Sequence, residues 1–393
     1  MPTNPLSASA KGAESVARPA VDSPPLYNGA SYSAWSRNLY RLMPLQADAR
    51  LLFESTIEEP TALLSALVAN AFDGRPTDRY TSVFGRGNPY LISAVAARYG
   101  APERAVLTTT GVANGLSQVL ATFIQPGDGV LIETPGFDVL GGLAEAAGGV
   151  AMPLVRAAPD FDLTADALRE ALTPGVRMAV ITNLHNPSGR RLSEEAVLDL
   201  ARAAAEKGAW LVIDEVYADF ARPTVVSLPA APNLIRLNSL AKVFGLYGLR
   251  CGWILADPTA AARIAAANAT REFGVSKLTH AVSSLILENP DPFEAHWRTV
   301  MAERRPILEH HLAAMRADGL LDGAMPEFGC MAFPRVVRHA DTLSLAERLW
   351  REDGLVTAPG EMFGLPGYMR LGIGLSPELM DEGLSRLHEA LRR

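Results

Sequence analysis

Short apolar runs alternate with amphipathic helical stretches along most of this chain, and no other feature narrows its possible folds as much. The runs at 105–109, 130–133, 178–182, 211–214 and 234–238 are bounded by turn residues such as Pro126-Gly127-Asp128 and Pro187-Ser188-Gly189. Helical periodicity fills 115–124, 164–172 and 193–207. Strands separated by helices predict an α/β fold, with a mostly parallel central sheet flanked by helices. In such sheets a ligand binds at the carboxyl ends of the strands. After Pro290 the pattern changes to a long helix over 293–315, strand-like pieces at 331–337 and 368–373, and a closing helix over 377–391. The expected organisation is a disordered tail (1–25), an N-terminal arm belonging to the small domain (26–60), a large ligand-binding domain (61–290) and a smaller α+β domain (291–393).

Composition removes several functional classes. The net charge of -7 argues against a nucleic-acid partner, which would want a basic face. No apolar run is long enough to span a membrane. The first 25 residues, rich in Ala, Ser and Pro, lack the apolar segment of a signal peptide. Cys251 and Cys330 cannot build a disulfide framework, so free thiols in a reducing cytoplasm are expected. The seven histidines show no metal-ligand spacing, and His310 and His311 fall on different helix faces, so no metal is expected.

Four segments at strand ends carry chemistry. In Ser239-Leu240-Ala241-Lys242 the lysine sits between a strand and a Gly-rich stretch reaching Arg250. Its apolar neighbours favour the neutral amine that attacks an aldehyde. Ser239 and Arg250 could both hold a phosphate. Asn186-Pro187-Ser188-Gly189 is a rigid turn whose Asn186 could donate to a ligand oxygen. Asp214 ends a buried strand and needs a cationic partner, and Tyr217 follows within reach of the same ligand. Gly111-Val112-Ala113 opens a helix whose backbone amides could bind phosphate. Each segment alone fits a plainer role: a surface lysine beside a turn, an ordinary Asn-Pro turn, a capping aspartate, or a helix start without a ligand.

Together these segments resemble the class I/II aminotransferases, the fold-type I enzymes that depend on pyridoxal 5'-phosphate. The likeness runs from about Tyr80 to the C-terminus. It includes Thr134-Pro135-Gly136-Phe137, the stretch from Ser239 to Trp253, the segment from Pro359 to Gly364, and that from Tyr368 to Gly374. The resemblance implies a transaminase that moves an amino group between an L-amino acid and a 2-oxo acid. By the same likeness Lys242 forms an imine with the cofactor and shuttles the proton. Asp214 pairs with the pyridine nitrogen, which keeps the ring an electron sink. Asn186 and Tyr217 hold the phenolic oxygen, and Phe137 stacks on the ring. Ser239, Arg250 and the amides of Gly111, Val112 and Ala113 cradle the phosphate. Arg370 clamps the substrate carboxylate, with Asn186 beside it. Tyr80 reaches the phosphate of a neighbouring subunit, which implies a homodimer with shared active sites.

Two departures from the family pattern, and one cluster of charge, bear on the substrate. Ala241 stands where a hydroxyl residue often precedes the lysine. Ser55 or Thr56 takes the place of a glycine in the substrate loop. Glu54, Glu58 and Glu59 would make an acidic entrance favouring a cationic or neutral donor over a dicarboxylate, although solvated glutamates ahead of a helix near Pro60 are the plainer account. Tyr32, Trp35 and Tyr40, with Arg37 and Arg41, could line the site, but an arm packed on the body is the expected arrangement. A β-lyase or decarboxylase would share the same residues, because the cofactor supplies the electron sink. A non-catalytic ligand sensor would need a DNA-binding domain, for which the arm is too short.

Overall fold

The computed structural model describes residues 25–45, 48–221, 231–271 and 274–393. Apart from Pro25, the expected tail lies outside the described residues. Seven strands form the main sheet: β1 (Val106–Thr109), β2 (Gly129–Thr134), β3 (Val150–Val155), β4 (Val176–Thr182), β5 (Trp210–Asp214), β6 (Leu234–Ser239) and β7 (Gly252–Ala256). Their spatial order is β1-β7-β6-β5-β4-β2-β3. All neighbours are parallel except at β7, which runs antiparallel to both β1 and β6. The mostly parallel sheet expected from the alternation is therefore present.

β3 and β7 were not anticipated. β3 is an edge strand, bonded only to β2, and its exposed residues and Pro153 hide it from an apolar scan. An edge tolerates proline because the missing N–H is not needed by a second neighbour. β7 lies inside the segment first read as a Gly-rich continuation of the lysine motif.

Both sheet faces are covered, which is why the central strands read as unbroken apolar runs. On one face Val130, Met178, Val180, Val212 and Ile235 pack under a helix spanning Val112–Phe123 and another spanning Pro258–Asn268. On the other, Leu131, Ala179, Ile181, Leu211 and Ile213 meet helices Ala165–Ala171 and Glu194–Glu206.

The long C-terminal helix runs from Asp291 to Ala317, past the expected 293–315, and continues through Pro306. The single strand expected over 331–337 is instead two short strands, Met331–Ala332 and Arg335–Val336, with Phe333 and Pro334 between them. Pro334 has no N–H to continue a ladder. Met331–Ala332 pairs antiparallel with Met369–Gly372, the strand that carries Arg370. The closing helix spans Pro377–Arg392. Arg50 and Leu51 of the arm pair in parallel with Leu355 and Val356, which ties the arm to the C-terminal third. Among the described residues no helix is long and apolar enough to cross a membrane. Both cysteines are free and buried, and burial pushes each thiol up to about 12.

Candidate active site

A cavity of about 280 Å3 opens at the carboxyl ends of the parallel strands. It gathers nearly all the residues singled out from sequence: Gly111, Val112, Ala113, Phe137, Asn186, Asp214, Tyr217, Ser239, Lys242, Arg250 and Arg370. Tyr80 is not among them. It stacks edge-on against Phe72 with Lys277 Nζ 4.1 Å above its ring, away from its own chain's cavity.

At one end of the cavity is the start of the helix Val112–Phe123, here α1. Its N-cap is Gly111, and no side chain caps it. The first amides of a helix have no intrahelical acceptor, and together with the helix dipole they suit an anion. Gly111 has φ +104°, and a Cβ there would stand 3.1 Å from Arg250 Nη2. Glycine meets both demands, the positive φ and the close approach of the guanidinium. Arg250 itself has φ +50°, and its guanidinium rests over Tyr247 at 4.7 Å. Ser239, at the end of β6, completes this anion-binding corner.

At the floor, Asp214 ends β5, and Oδ1 accepts from the Val216 N–H at 3.0 Å. Burial pushes its carboxyl up to about 7, against the pull of that hydrogen bond and of Lys242. A buried carboxylate of this kind is stabilised by a ligand cation. Tyr217 Oη lies 2.8 Å from Ser55 Oγ, and burial raises its phenol above the ordinary tyrosine value. Lys242 Nζ lies 5.9 Å from the Tyr217 ring centroid. Leu240, Val243 and Phe244 beside it are buried, so the lysine is anchored by core contacts on either side.

Asn186 is set in place by a buried network. Glu133 of β2 accepts from the Thr182 N–H (2.8 Å) and hydroxyl, and from Arg156 Nη1 (2.8 Å). Thr182 Oγ1 in turn accepts from the Asn186 N–H at 2.8 Å. His185 bridges Ser188 and the Pro135 carbonyl, and burial holds its imidazole well below the usual range, hence neutral.

Arg370 is buried, without a carboxylate partner among the described residues. Nη1 donates to Asn186 Oδ1 (2.9 Å), while Nη2 donates to Tyr32 Oη (2.8 Å) and the Phe53 carbonyl (3.2 Å). Nε has no partner. The guanidinium lies 5.0 Å from the ring centroids of both Tyr32 and Phe363. A desolvated guanidinium in this state suits a carboxylate ligand.

Three findings correct the sequence reading. The arm does more than pack. Trp35 is buried as expected, but Tyr32 lines the cavity and bonds to Arg370. The cue was available in retrospect: Ser31 caps the helix Tyr32–Leu42, so its first side chain is fixed. Second, Ser55 lines the cavity, whereas Thr56 Oγ1 lies 3.4 Å from the backbone carbonyls of Ala241 and Lys242. Third, the acidic entrance reduces to one residue. Glu58 is drawn off by Arg304 (2.5 Å), and Glu59 is exposed outside the cavities.

Known proteins agree with this arrangement. Residues 44–387 match the family described as aminotransferase class I and II. The chain is 30% identical over 311 residues to capreomycidine synthase of Streptomyces vinaceus, which covers 78% of this chain and 79% of that one. It is 29% identical over 339 residues to an aspartate aminotransferase of Streptomyces avermitilis, with 80% and 81% covered. Its fold superposes on aspartate aminotransferase from Thermus thermophilus with a TM-score of 0.79 at 22% identity, over 90% of this chain and 95% of that one. With the Rhizobium meliloti aspartate aminotransferase the score is 0.80 at 19% identity, over 93% and 97%. The chain belongs to the class I and II aminotransferases, a family that depends in general on pyridoxal phosphate.

Proposed function

We propose that this aminotransferase holds pyridoxal 5'-phosphate covalently on Lys242 and exchanges amino groups between an L-amino acid and a 2-oxo acid in the cavity described. One observation carries the reading: an amine, a carboxylate lacking a cation and two cationic corners converge on a single space. The donor set fits the cofactor group by group. The uncapped start of α1, Arg250 and Ser239 suit its phosphate. Asp214 suits its ring nitrogen, since a cation there relieves the burial that raises the carboxyl. Phe137 would stack on its ring, and Tyr217 and Asn186 would hold its phenolic oxygen. When bound, the cofactor supplies an electron sink for the charge left at the substrate Cα.

The remaining work falls to the chain. Arg370 binds the α-carboxylate, with Asn186 and Tyr32 fixing its plane. Lys242 Nζ carries the proton to and from Cα. The arm, with Tyr32 and Phe53, closes one wall against water. The division into a larger domain over 61–290 and a smaller one over 291–393 is part of this proposal, as is the cytoplasmic location.

The test is Lys242→Ala, with loading followed by the cofactor's absorbance and by borohydride trapping. The variant should form no reducible adduct at position 242 and lose oxo-acid production by several orders of magnitude. An adduct at another lysine would overturn the assignment. Release of ammonia or CO2 without an acceptor would replace transamination by lyase or decarboxylase chemistry.

A further inference from the structure

A second cavity, of about 340 Å3, adjoins the first and shares Tyr32, Ser55, Phe137, Val139, Lys242 and Tyr247 with it. Its remaining wall is Ser33, Ser36, Tyr40, Phe53, Glu54 and Thr56. The charged groups lining it are Glu54 and Lys242. The Glu54 carboxylate makes no hydrogen bond or ion pair among the described residues, and the cation acting on it is Lys242. A lysine engaged in cofactor chemistry cannot also serve as a lasting counter-ion, so the carboxylate would face the cavity alone.

The position of Glu54 is fixed from behind. A Cβ on Gly374 would fall 2.5 Å from Glu54 Cβ and 2.6 Å from Oε2, and one on Gly372 would fall 2.0 Å from the Glu54 carbonyl. The glutamate therefore lies directly against the segment that follows Arg370. The same strip also bonds Arg370 through the Phe53 carbonyl at 3.2 Å. The guanidinium facing one cavity and the carboxylate facing the other are thus built on two segments in contact, which sets their separation.

Resting on the transaminase reading, we propose that Glu54 is the counter-ion for a cationic side chain, so that the preferred amino donor carries an ammonium or guanidinium group. The α-carboxylate lies on Arg370 and the side chain extends past Tyr32 and Phe137 into the second cavity. There its cation meets Glu54, with the hydroxyls of Ser33, Ser36 and Tyr40 as neutral neighbours. A donor with a second carboxylate would bring like charge to the same place without a guanidinium to receive it.

Two measurements on the cofactor-loaded protein test this. The first is calorimetric titration with 5-guanidinovalerate, caproate and adipate, none of which has a primary amine to form an imine and be turned over. The cationic ligand should bind at least about tenfold tighter than caproate, with adipate weakest, and Glu54→Gln should erase the first gap. The second is kcat/KM for lysine, norleucine and 2-aminoadipate. The lysine-to-norleucine ratio should fall about 10- to 100-fold in Glu54→Gln, and Glu54→Lys should favour 2-aminoadipate over lysine. Equal binding of the three probes, or a ratio unmoved by Glu54→Gln, overturns the assignment of Glu54 while transamination stands. Loss of all donor turnover with the probe ranking intact instead sinks the transaminase reading and leaves the cation subsite.

Discussion

Asp214 and Arg370 show how single charges acquire meaning from burial. A carboxyl whose folded pKa lies above its unfolded value contributes stability that is fully present below the unfolded value and lost as pH rises through the folded one. For Asp214 the window runs from the ordinary carboxylate range to about 7. Cofactor-free protein should therefore lose stability between about pH 4 and pH 7, and Asp214→Asn should recover roughly 2–4 kcal/mol of it at the upper end. Thermal melts of both proteins across that range check the prediction, and parallel pH curves would count against it. At Arg370 a lysine offers one point donor in place of a planar fork. Arg370→Lys should raise KM for every amino donor by about 10- to 100-fold, because the bonds to Asn186 and Tyr32 cannot both be kept. Initial-rate kinetics with two unlike donors read this.

At the level of elements, the start of α1 is decided by Gly111. An alanine there would be held at a positive φ, with its methyl 3.1 Å from Arg250 Nη2. Gly111→Ala should cost about 1–3 kcal/mol in denaturant unfolding and weaken binding of inorganic phosphate to the cofactor-free protein. The arm helix Tyr32–Leu42 is held by Trp35, which is 1% exposed, 4.7 Å from the Phe53 ring centroid and 5.7 Å from that of Tyr27. Trp35→Ala should cost about 3–5 kcal/mol. Because Tyr32 sits one turn earlier on the same helix, the variant should also lose affinity for α-carboxylates, which calorimetry with caproate would detect. A destabilised protein with unchanged caproate binding would separate the arm from the site.

For the whole molecule, the helix Thr61–Ala71 packs Leu63, Leu64, Leu67 and Val68 against the core without fully burying any of them, while Phe84 is 65% and Leu278 51% exposed. In the homodimer that the family resemblance implies, a second copy would cover exposed apolar side chains of this kind. Tyr80 sits on this side, against Phe72. If it reaches the partner's phosphate, Tyr80→Phe should raise the cofactor Kd about tenfold by equilibrium dialysis. Leu278→Glu, at an exposed apolar side chain beside Lys277, should shift the protein toward monomer in sedimentation and lower activity in step.

Sequence by itself determined five of the seven strands of the sheet and most of the residues gathered at their ends. Apolar runs on strands buried on both faces and turn residues at their ends are local features, so β1, β2, β4, β5 and β6 were legible, and so were Lys242, Asp214, Asn186 and Arg250 at their carboxyl ends. β3 escaped because an edge strand need not be apolar, and β7 because it is antiparallel and follows a turn inside a motif. Only the tertiary structure decided which of the three glutamates lines a cavity and that the arm brings Tyr32 to Arg370. Both depend on contacts across more than a hundred residues of chain, Glu58 with Arg304 and Tyr32 with Arg370, and a local pattern carries no record of which distant partner neutralises a charge.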